Sequence, residues 1–229
     1  MDIRFLGHAC FELTDGSSRV LIDPFLSGNP KAAAKPDDVD PTHILLTHAH
    51  VDHSLDAVAI AKRTGAHCVA IVETANWLGS EGVENVSDPN LGGTVEFDWG
   101  WVKLVQALHT NTTPDGTAIG QAAGLVISIG GTTVYHLGDT CLFGDMKLIA
   151  ERTPVDVALV PIGGHYTMDR HDAVVAVDLI APKIVIPMHY NTFPPIEADA
   201  EAFKSDVETK TSAHCVVLDP GESHSKDAH

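Results

Sequence analysis

Cations are scarce in this chain: 14 Lys and Arg stand against 31 Asp and Glu in 229 residues, a net charge of −17. So acidic a surface repels nucleic acid and anionic membrane except at a local cationic spot, so the expected partner is a small molecule, with no nucleic acid and no membrane. Cysteine is scarce too. Cys10, Cys68, Cys141 and Cys215 lie far apart and make neither a paired-cysteine zinc pattern nor a dense disulfide framework, so free thiols are expected. No apolar run approaches the roughly 18 residues that span a bilayer. Met1 to Thr14 alternates and carries acids instead of forming a charged-then-apolar leader, which reads as a cytoplasmic protein. Repeats and low-complexity tracts are also missing. What is left, 44% hydrophobic and 20% charged, is one globular domain over 1–229. At this length folding buries roughly 70% of the unfolded surface without needing disulfide staples. Gly221 to His229 (GESHSKDAH) has tail-like composition and is expected to fray.

The pattern of short elements sets the fold class. Asp2 to Phe5, Cys10 to Thr14 and Arg19 to Asp23 read as antiparallel strands, the last two joined through Asp15-Gly16-Ser17-Ser18. Pro24 to Asp40 reads as loop, and Ile44-Leu45-Leu46 as a buried strand ending at Thr47. A helix is expected from about Ser54, with Leu55, Val58, Ala59 and Lys62 at helical spacing and Gly65 as its stop, which leaves 48–53 in a strand-to-helix loop. Further strands are expected at Cys68 to Val72, Thr94 to Phe97, Trp101 to Ala107, Gly124 to Ile129, Thr133 to Leu137, Val155 to Pro161, Ile184 to Pro187 and Cys215 to Leu218. Helices are expected near Asp145 to Arg152, Asp172 to Ala181 and Glu197 to Lys210. Strands apolar on both faces need a cover on each side, which predicts an α/β fold, a four-layer α/β/β/α sandwich of two mixed sheets.

Histidine, in contrast to lysine and arginine, is abundant at 14 residues. Thr47-His48-Ala49-His50-Val51-Asp52-His53 holds four metal-capable side chains within six residues at the end of a buried strand. Neutral imidazoles and a carboxylate suit Zn²⁺ or a similar divalent ion. Four ligands this close cannot all converge on one tetrahedral ion without cramping the backbone. The economical arrangement has His48 and His50 facing one ion and Asp52 and His53 another.

His48-x-His50-x-Asp52-His53 resembles the signature of the metallo-β-lactamase superfamily, and the likeness extends over almost the whole chain. The resemblance implies the fold and two divalent metal ions, Zn²⁺ first among them with Mn²⁺, Fe²⁺ and Ni²⁺ as alternatives. It assigns His48, His50 and His109 to one ion, Asp52, His53 and His189 to the other, and Asp139, in Leu137-Gly138-Asp139-Thr140, to both. Phe5-Leu6-Gly7-His8-Ala9-Cys10-Phe11, Leu21-Ile22-Asp23-Pro24-Phe25, Pro161-Ile162-Gly163-Gly164 with Thr167-Met168, and Met188-His189-Tyr190-Asn191-Thr192-Phe193-Pro194 are similar to the small cytoplasmic metal-dependent hydrolases near the ascorbate-phosphate lactonases, which are often oligomeric. The implied activity is hydrolysis of a small ester, lactone or phosphodiester by a hydroxide bridging the two ions.

Further roles follow on individual residues. Asp52 orients the attacking hydroxide, and His165 is the candidate proton donor to the leaving group. Asp23 is placed to hold a metal-bound histidine by its second nitrogen. His8 is expected to line the pocket mouth or touch substrate, with Asn191 grouped beside it. Arg170 is a candidate clamp for a phosphate or carboxylate. The competing functions are an iron-dependent dioxygenase and a metal-binding protein without turnover on the same scaffold. Glu at position 50 would mark a flavin-partnered di-iron protein, and this chain has His50 there.

Overall fold

The computed structural model describes residues 1–225. The first sheet is built from β1 (Asp2–Gly7), β2 (Cys10–Asp15), β3 (Ser18–Ile22), β4 (His43–Leu45), β5 (His67–Val69) and β6 (Val86–Ser87). The second comprises β7 (Thr94–Phe97), β8 (Gly100–Gln106), β9 (Ala123–Ile129), β10 (Thr132–His136), β11 (Val157–Pro161), β12 (Ile184–Met188) and β13 (His214–Cys215), while β14 (Ser223–Ser225) returns to the first. Their orders are β14-β1-β2-β3-β4-β5-β6 and β13-β12-β11-β10-β9-β8-β7. Both are mixed. β1 to β3 and β7 to β10 run antiparallel, and β3 to β6 and β10 to β13 run parallel.

Two tight turns have visible causes. Asp15 pairs with Ser18 across Gly16-Ser17. Gly130 and Gly131 both take positive φ, 55° and 70°, which is the two-residue hairpin that twists with its strands. The helices are α1 (Val51–Ser54), α2 (Ala57–Thr64), α3 (Val72–Ser80), α4 (Met146–Arg152), α5 (Arg170–Ile180) and α6 (Ala200–Lys210). Asp169 caps α5 by accepting from the amides of His171 and Asp172, and Asp199 caps α6 through Ala202.

The layers follow from where alternate strand residues go. Ile3, Phe11, Leu13, Val20 and Ile22 of the first sheet meet Val102, Leu104, Leu125, Ile127 and Val134 of the second in a shared core. The opposite face of the first sheet packs Leu21, Ile44, Leu46 and Cys68 against Ile60, Ala61, Ala75 and Leu78 of α2 and α3. That of the second packs Tyr135, Ala158, Val160 and Val185 against Met146, Val174, Val177, Phe203 and Val207 of α4, α5 and α6. Each strand buried on both faces is thus a near-continuous apolar run. All four cysteines are free. Among the described residues no helix is long and apolar enough to cross a membrane.

The clearest departures from the sequence expectation, besides the short β6, are three. The first half of the expected tail is a strand. Gly221 donates to Phe5 O (2.7 Å), Phe5 donates to Glu222 O (3.0 Å), and Ser223–Ser225 pairs with Asp2 to Arg4, covering an edge that would otherwise expose unpaired amides. Residues 226–229 of that expectation lie outside the described residues. The strand expected to run to Val72 stops at Val69, and α3 follows it. Ala75 and Leu78 bury one face of this helix, but Val72, Thr74, Asn76 and Gly79 are weak helix formers and mask it. The last difference, the helical turn at 51–54, belongs to the site.

Candidate metal centre

The loops leaving the C-terminal ends of β4, β8, β10 and β12 meet at one end of the sandwich, and each carries metal-capable side chains. The chain bends at Thr47 after β4, and His48 and His50, two residues apart, bring their rings to one position. The chain then turns. His50 O accepts from the amides of His53 (2.9 Å) and Ser54 (3.0 Å), closing the single helical turn α1. Asp52 and His53 therefore sit on a helix, not in the open loop the sequence suggested, and point to a second position.

His48 Nε2 lies 3.0 Å from His50 Nδ1, which lies 3.3 Å from His109 Nε2. The hydrogen on His48 can be placed. Thr47 Oγ1 donates to Asp23 Oδ2 (2.6 Å), so it accepts from His48 Nδ1 (2.9 Å), and Nε2 is left with a bare lone pair facing the other two rings. The second group is His53, His189 and Asp52. His189 Nε2 is 3.8 Å from Asp52 Oδ2, and His53 Nδ1 donates to Asp23 Oδ2 at 2.8 Å. Asp139 lies between the groups. Its Oδ2 is 3.1 Å from His189 Nε2, 3.5 Å from His109 Nε2 and 3.9 Å from His48 Nε2, and its Oδ1 is 3.3 Å from His53 Nε2.

The fit to cations is testable on this geometry alone. His53 Nε2, Asp139 Oδ1 and both ring nitrogens of His189 are buried with no hydrogen-bond partner. Orphaned polar atoms cost roughly 1–3 kcal/mol each. Of these, His53 Nε2, Asp139 Oδ1 and His189 Nε2 converge with the bare His48 nitrogen on the spaces that divalent ions would fill, and the donor set of imidazole and carboxylate is the one zinc-like ions take.

The electrostatics divide the two groups. Burial, aided by neighbouring His53, pushes the His48 and His50 imidazoles below the ordinary range, and burial does the same to His109. All three are neutral near pH 7, the form that binds metal. Burial also acts against the charged form of His53, but Asp139 and Asp23 outweigh it and hold this imidazole well above its usual range. For Asp139, burial is outweighed by His189 and His53, and for Asp52 by the hydrogen bond from His8 and the charge of His53, so both carboxyls sit below the ordinary carboxylate range.

The remaining sequence candidates are placed as follows. Asp23 is fully buried and accepts three hydrogen bonds: at Oδ1 from the Thr47 amide (2.8 Å) and at Oδ2 from the Thr47 hydroxyl and His53. His8 is 1% exposed and faces Asp52 inside the centre rather than an open mouth. Burial, then His189, pushes its imidazole down to about 4. Asn191 turns its amide to Ala198 (Oδ1 accepting at 2.9 Å, Nδ2 donating at 3.2 Å), closing its own loop. His165 is exposed, and its ring stands edge-on to Tyr166 with centroids 4.5 Å apart. Arg170 opens α5 and pairs with Asp206 of α6 rather than with any member of the cluster, because α6 packs across α5 and presents an acid to it.

Two contributors escaped the sequence reading. Asn111, 3% exposed, accepts from the Ala49 amide (2.8 Å) and donates to Thr74 Oγ1 (3.1 Å) and Gln121 O (3.0 Å), pinning the His48–His50 segment to the loop that follows His109. Its position two residues after His109 is the only sequence signal for it. Gly163 allows close approach: a Cβ there would lie 2.2 Å from His189 O and 2.9 Å from Ile196 Cβ. Gly163→Ala is expected to push the His189 loop outward and weaken binding of the ion on that side about tenfold. Zinc titration against a competing chelator reads this directly, and wild-type affinity would show that the loop absorbs the methyl.

A sequence profile of the beta-lactamase superfamily domain matches residues 2–189. The chain is 50% identical over 230 residues to a UPF0173 metal-dependent hydrolase of Methanopyrus kandleri, covering 99% of this chain and all of the relative. Among solved structures it is similar to Igni18, a metallo hydrolase from Ignicoccus hospitalis, with a TM-score of 0.90 and 36% identity over 100% of this chain and 99% of that one. An isothiocyanate hydrolase from Delia radicum gut bacteria superposes with a TM-score of 0.78 over the full length of both chains; at 17% identity it shows the fold alone.

Proposed function

We propose, on the premise that this chain belongs to the metallo-β-lactamase superfamily and is one of its metal-dependent hydrolases, that it cleaves a small uncharged ester or lactone at a centre of two divalent ions. The observation that carries the reading is the position of Asp139, within 3.9 Å of ring nitrogens from both histidine groups. His48, His50 and His109 would hold one ion, Asp52, His53 and His189 the other, and Asp139 both. Bound there, the ions supply a Lewis acid for the scissile group and make water acidic enough to act as nucleophile near pH 7.

The chain's own residues do the rest. Asp52, the most exposed of the second group at 25% for its side chain, is placed to accept a proton from the attacking water and orient it. Asp23 fixes the His53 tautomer, and Thr47 that of His48. Val51 and Leu108, next to His50 and His109 in sequence, are 48% and 46% exposed and would offer a substrate apolar surface beside the centre. With Arg170 committed to Asp206, the phosphate clamp suggested by the sequence is not assembled. An acyl substrate with an apolar group therefore fits better than a phosphodiester.

The test is a panel of aliphatic and aryl esters, lactones and phosphodiesters after reconstitution with Zn²⁺, Mn²⁺ or Fe²⁺, run beside His50→Ala. Metal-dependent turnover of esters or lactones, lost in the variant, is expected. Turnover of phosphodiesters alone would overturn the substrate class. Oxygen uptake by the iron form would favour the dioxygenase, and no turnover on any class the non-catalytic reading.

Proton release gives an independent check. The first group is neutral above the ordinary imidazole range and gives up nothing when it binds an ion. His53 is held protonated by Asp139 and Asp23, so an ion must displace one of its hydrogens. Calorimetric titration at pH 7 in two buffers of different ionisation enthalpy should show more proton release with the second ion than with the first, the excess including the His53 proton. Affinity for that ion should fall as the pH is lowered. Equal release at both steps would contradict the assignment.

A further inference from the structure

His8 occupies a conformation that a histidine does not adopt without cause. It sits in the turn between β1 and β2 with φ +61°, in the left-handed region, and is 1% exposed. A non-glycine residue held there costs on the order of 1 kcal/mol or more and persists where its surroundings over-determine it. The surroundings are four contacts to three residues of the site. Its carbonyl accepts from the His189 amide at 2.7 Å. Its Nε2 is 3.2 Å from Asp52 Oδ2 and its Nδ1 2.9 Å from Thr192 Oγ1. Its ring lies against that of His189, centroids 4.0 Å apart.

The directions of these bonds are fixed by chemistry. An ionised carboxylate only accepts, so Nε2 carries the hydrogen donated to Asp52. A neutral ring then has a bare Nδ1, which accepts from the Thr192 hydroxyl. The chain Thr192 to His8 to Asp52 is therefore polarised in one direction. It links α1, which carries Asp52 and His53, to the loop after β12, which carries His189 and Thr192. These two segments lie 137 residues apart in sequence between Asp52 and His189, and the His8 bonds join them directly.

We propose that His8 is a positioning residue of the metal centre, a clamp that sets the distance and orientation between the Asp52 carboxylate and His189 before an ion binds. The proposal rests on reading Asp52 and His189 as ligands of the second ion. Its consequence is selective: His8 preorganises one ion's ligands and leaves the His48, His50 and His109 group untouched.

The test is equilibrium titration of Zn²⁺ and Co²⁺ into the wild type, His8→Ala, His8→Gln, Thr192→Val and Asp52→Ala, with the cobalt spectrum and the melting temperature recorded for each. In His8→Ala the first ion should bind as in the wild type and the second 10–100-fold more weakly. His8→Gln, whose side-chain amide can still donate to Asp52, should recover most of that loss. Thr192→Val, which removes the bond that orients the ring, should fall between. The clamp is overturned if His8→Ala takes up both ions with wild-type affinity, if it loses both equally, or if Gln is no better than Ala. The underlying ligand reading fails separately, and the clamp with it, if Asp52→Ala retains two tightly bound ions.

Discussion

Asp139→Ala is expected to lose three or more powers of ten in kcat/KM on the best substrate of the panel while the protein remains folded. The carboxylate is 2% exposed and reaches nitrogens of His48, His53, His109 and His189, so it is the one group that both candidate ion sites share. Lewis-acid activation by bound ions is worth several kcal/mol of transition-state stabilisation, and each 1.36 kcal/mol is a factor of ten. The fold should survive because Asp139 makes no bond to either core: its described partners are the site's imidazoles, which it attracts when they are charged. Parallel measurements of kcat/KM, ion stoichiometry and melting temperature decide the matter. A variant with two ions and near-normal turnover would show that Asp139 does not join the sites. One that fails to fold would make it a structural residue.

The site was more legible in the sequence than the elements that hold it. His48, His50, Asp52 and His53 announce themselves because four ligands within six residues have no packing purpose. His109, Asp139 and His189 were assigned through the family resemblance; each is a single polar residue after a strand and carries no periodicity of its own. The structure brings all seven together; it leaves Arg170 and Asn191 bonded elsewhere and His165 exposed against Tyr166. Those three were chosen by residue type and nearness in sequence to a motif, and neither property says which way a side chain turns. The sheets were readable because buried strands such as Gly124 to Ile129 are apolar but for one serine, and the hairpins because glycine marks their turns. Helix α3 and strands β6 and β14 were not. Each is short, and each exists because a neighbour needs it: β14 satisfies the edge of β1, and α3 covers Leu46 and Cys68. Tertiary demand of this kind leaves little trace in local composition.

Asp23→Asn separates shape from charge at the most constrained point of the site. The wild-type carboxylate accepts from the Thr47 amide, the Thr47 hydroxyl and His53 Nδ1, all fully buried, from a backbone at φ +45°. Asparagine fits the same space but offers one oxygen and one NH₂. Placed toward the Thr47 hydroxyl and His53, the NH₂ meets two donors; placed toward the Thr47 amide, it meets one. In the first orientation His53 must give up the hydrogen on Nδ1 and keep the one on Nε2, the nitrogen 3.3 Å from Asp139 that an ion would use. In the second, a buried amide loses its acceptor, at a cost of about 1–3 kcal/mol. Either way the variant should melt lower and bind the second ion 10–100-fold more weakly, and the first ion should weaken less, because His48 depends on Asp23 only through Thr47. Because His53 would also lose one of the two carboxylates that hold it protonated, the proton released on binding the second ion should fall below the wild-type value at pH 7. A variant with wild-type proton release and wild-type affinity for both ions would mean that Asp23 serves the end of β3 alone and has no part in the centre.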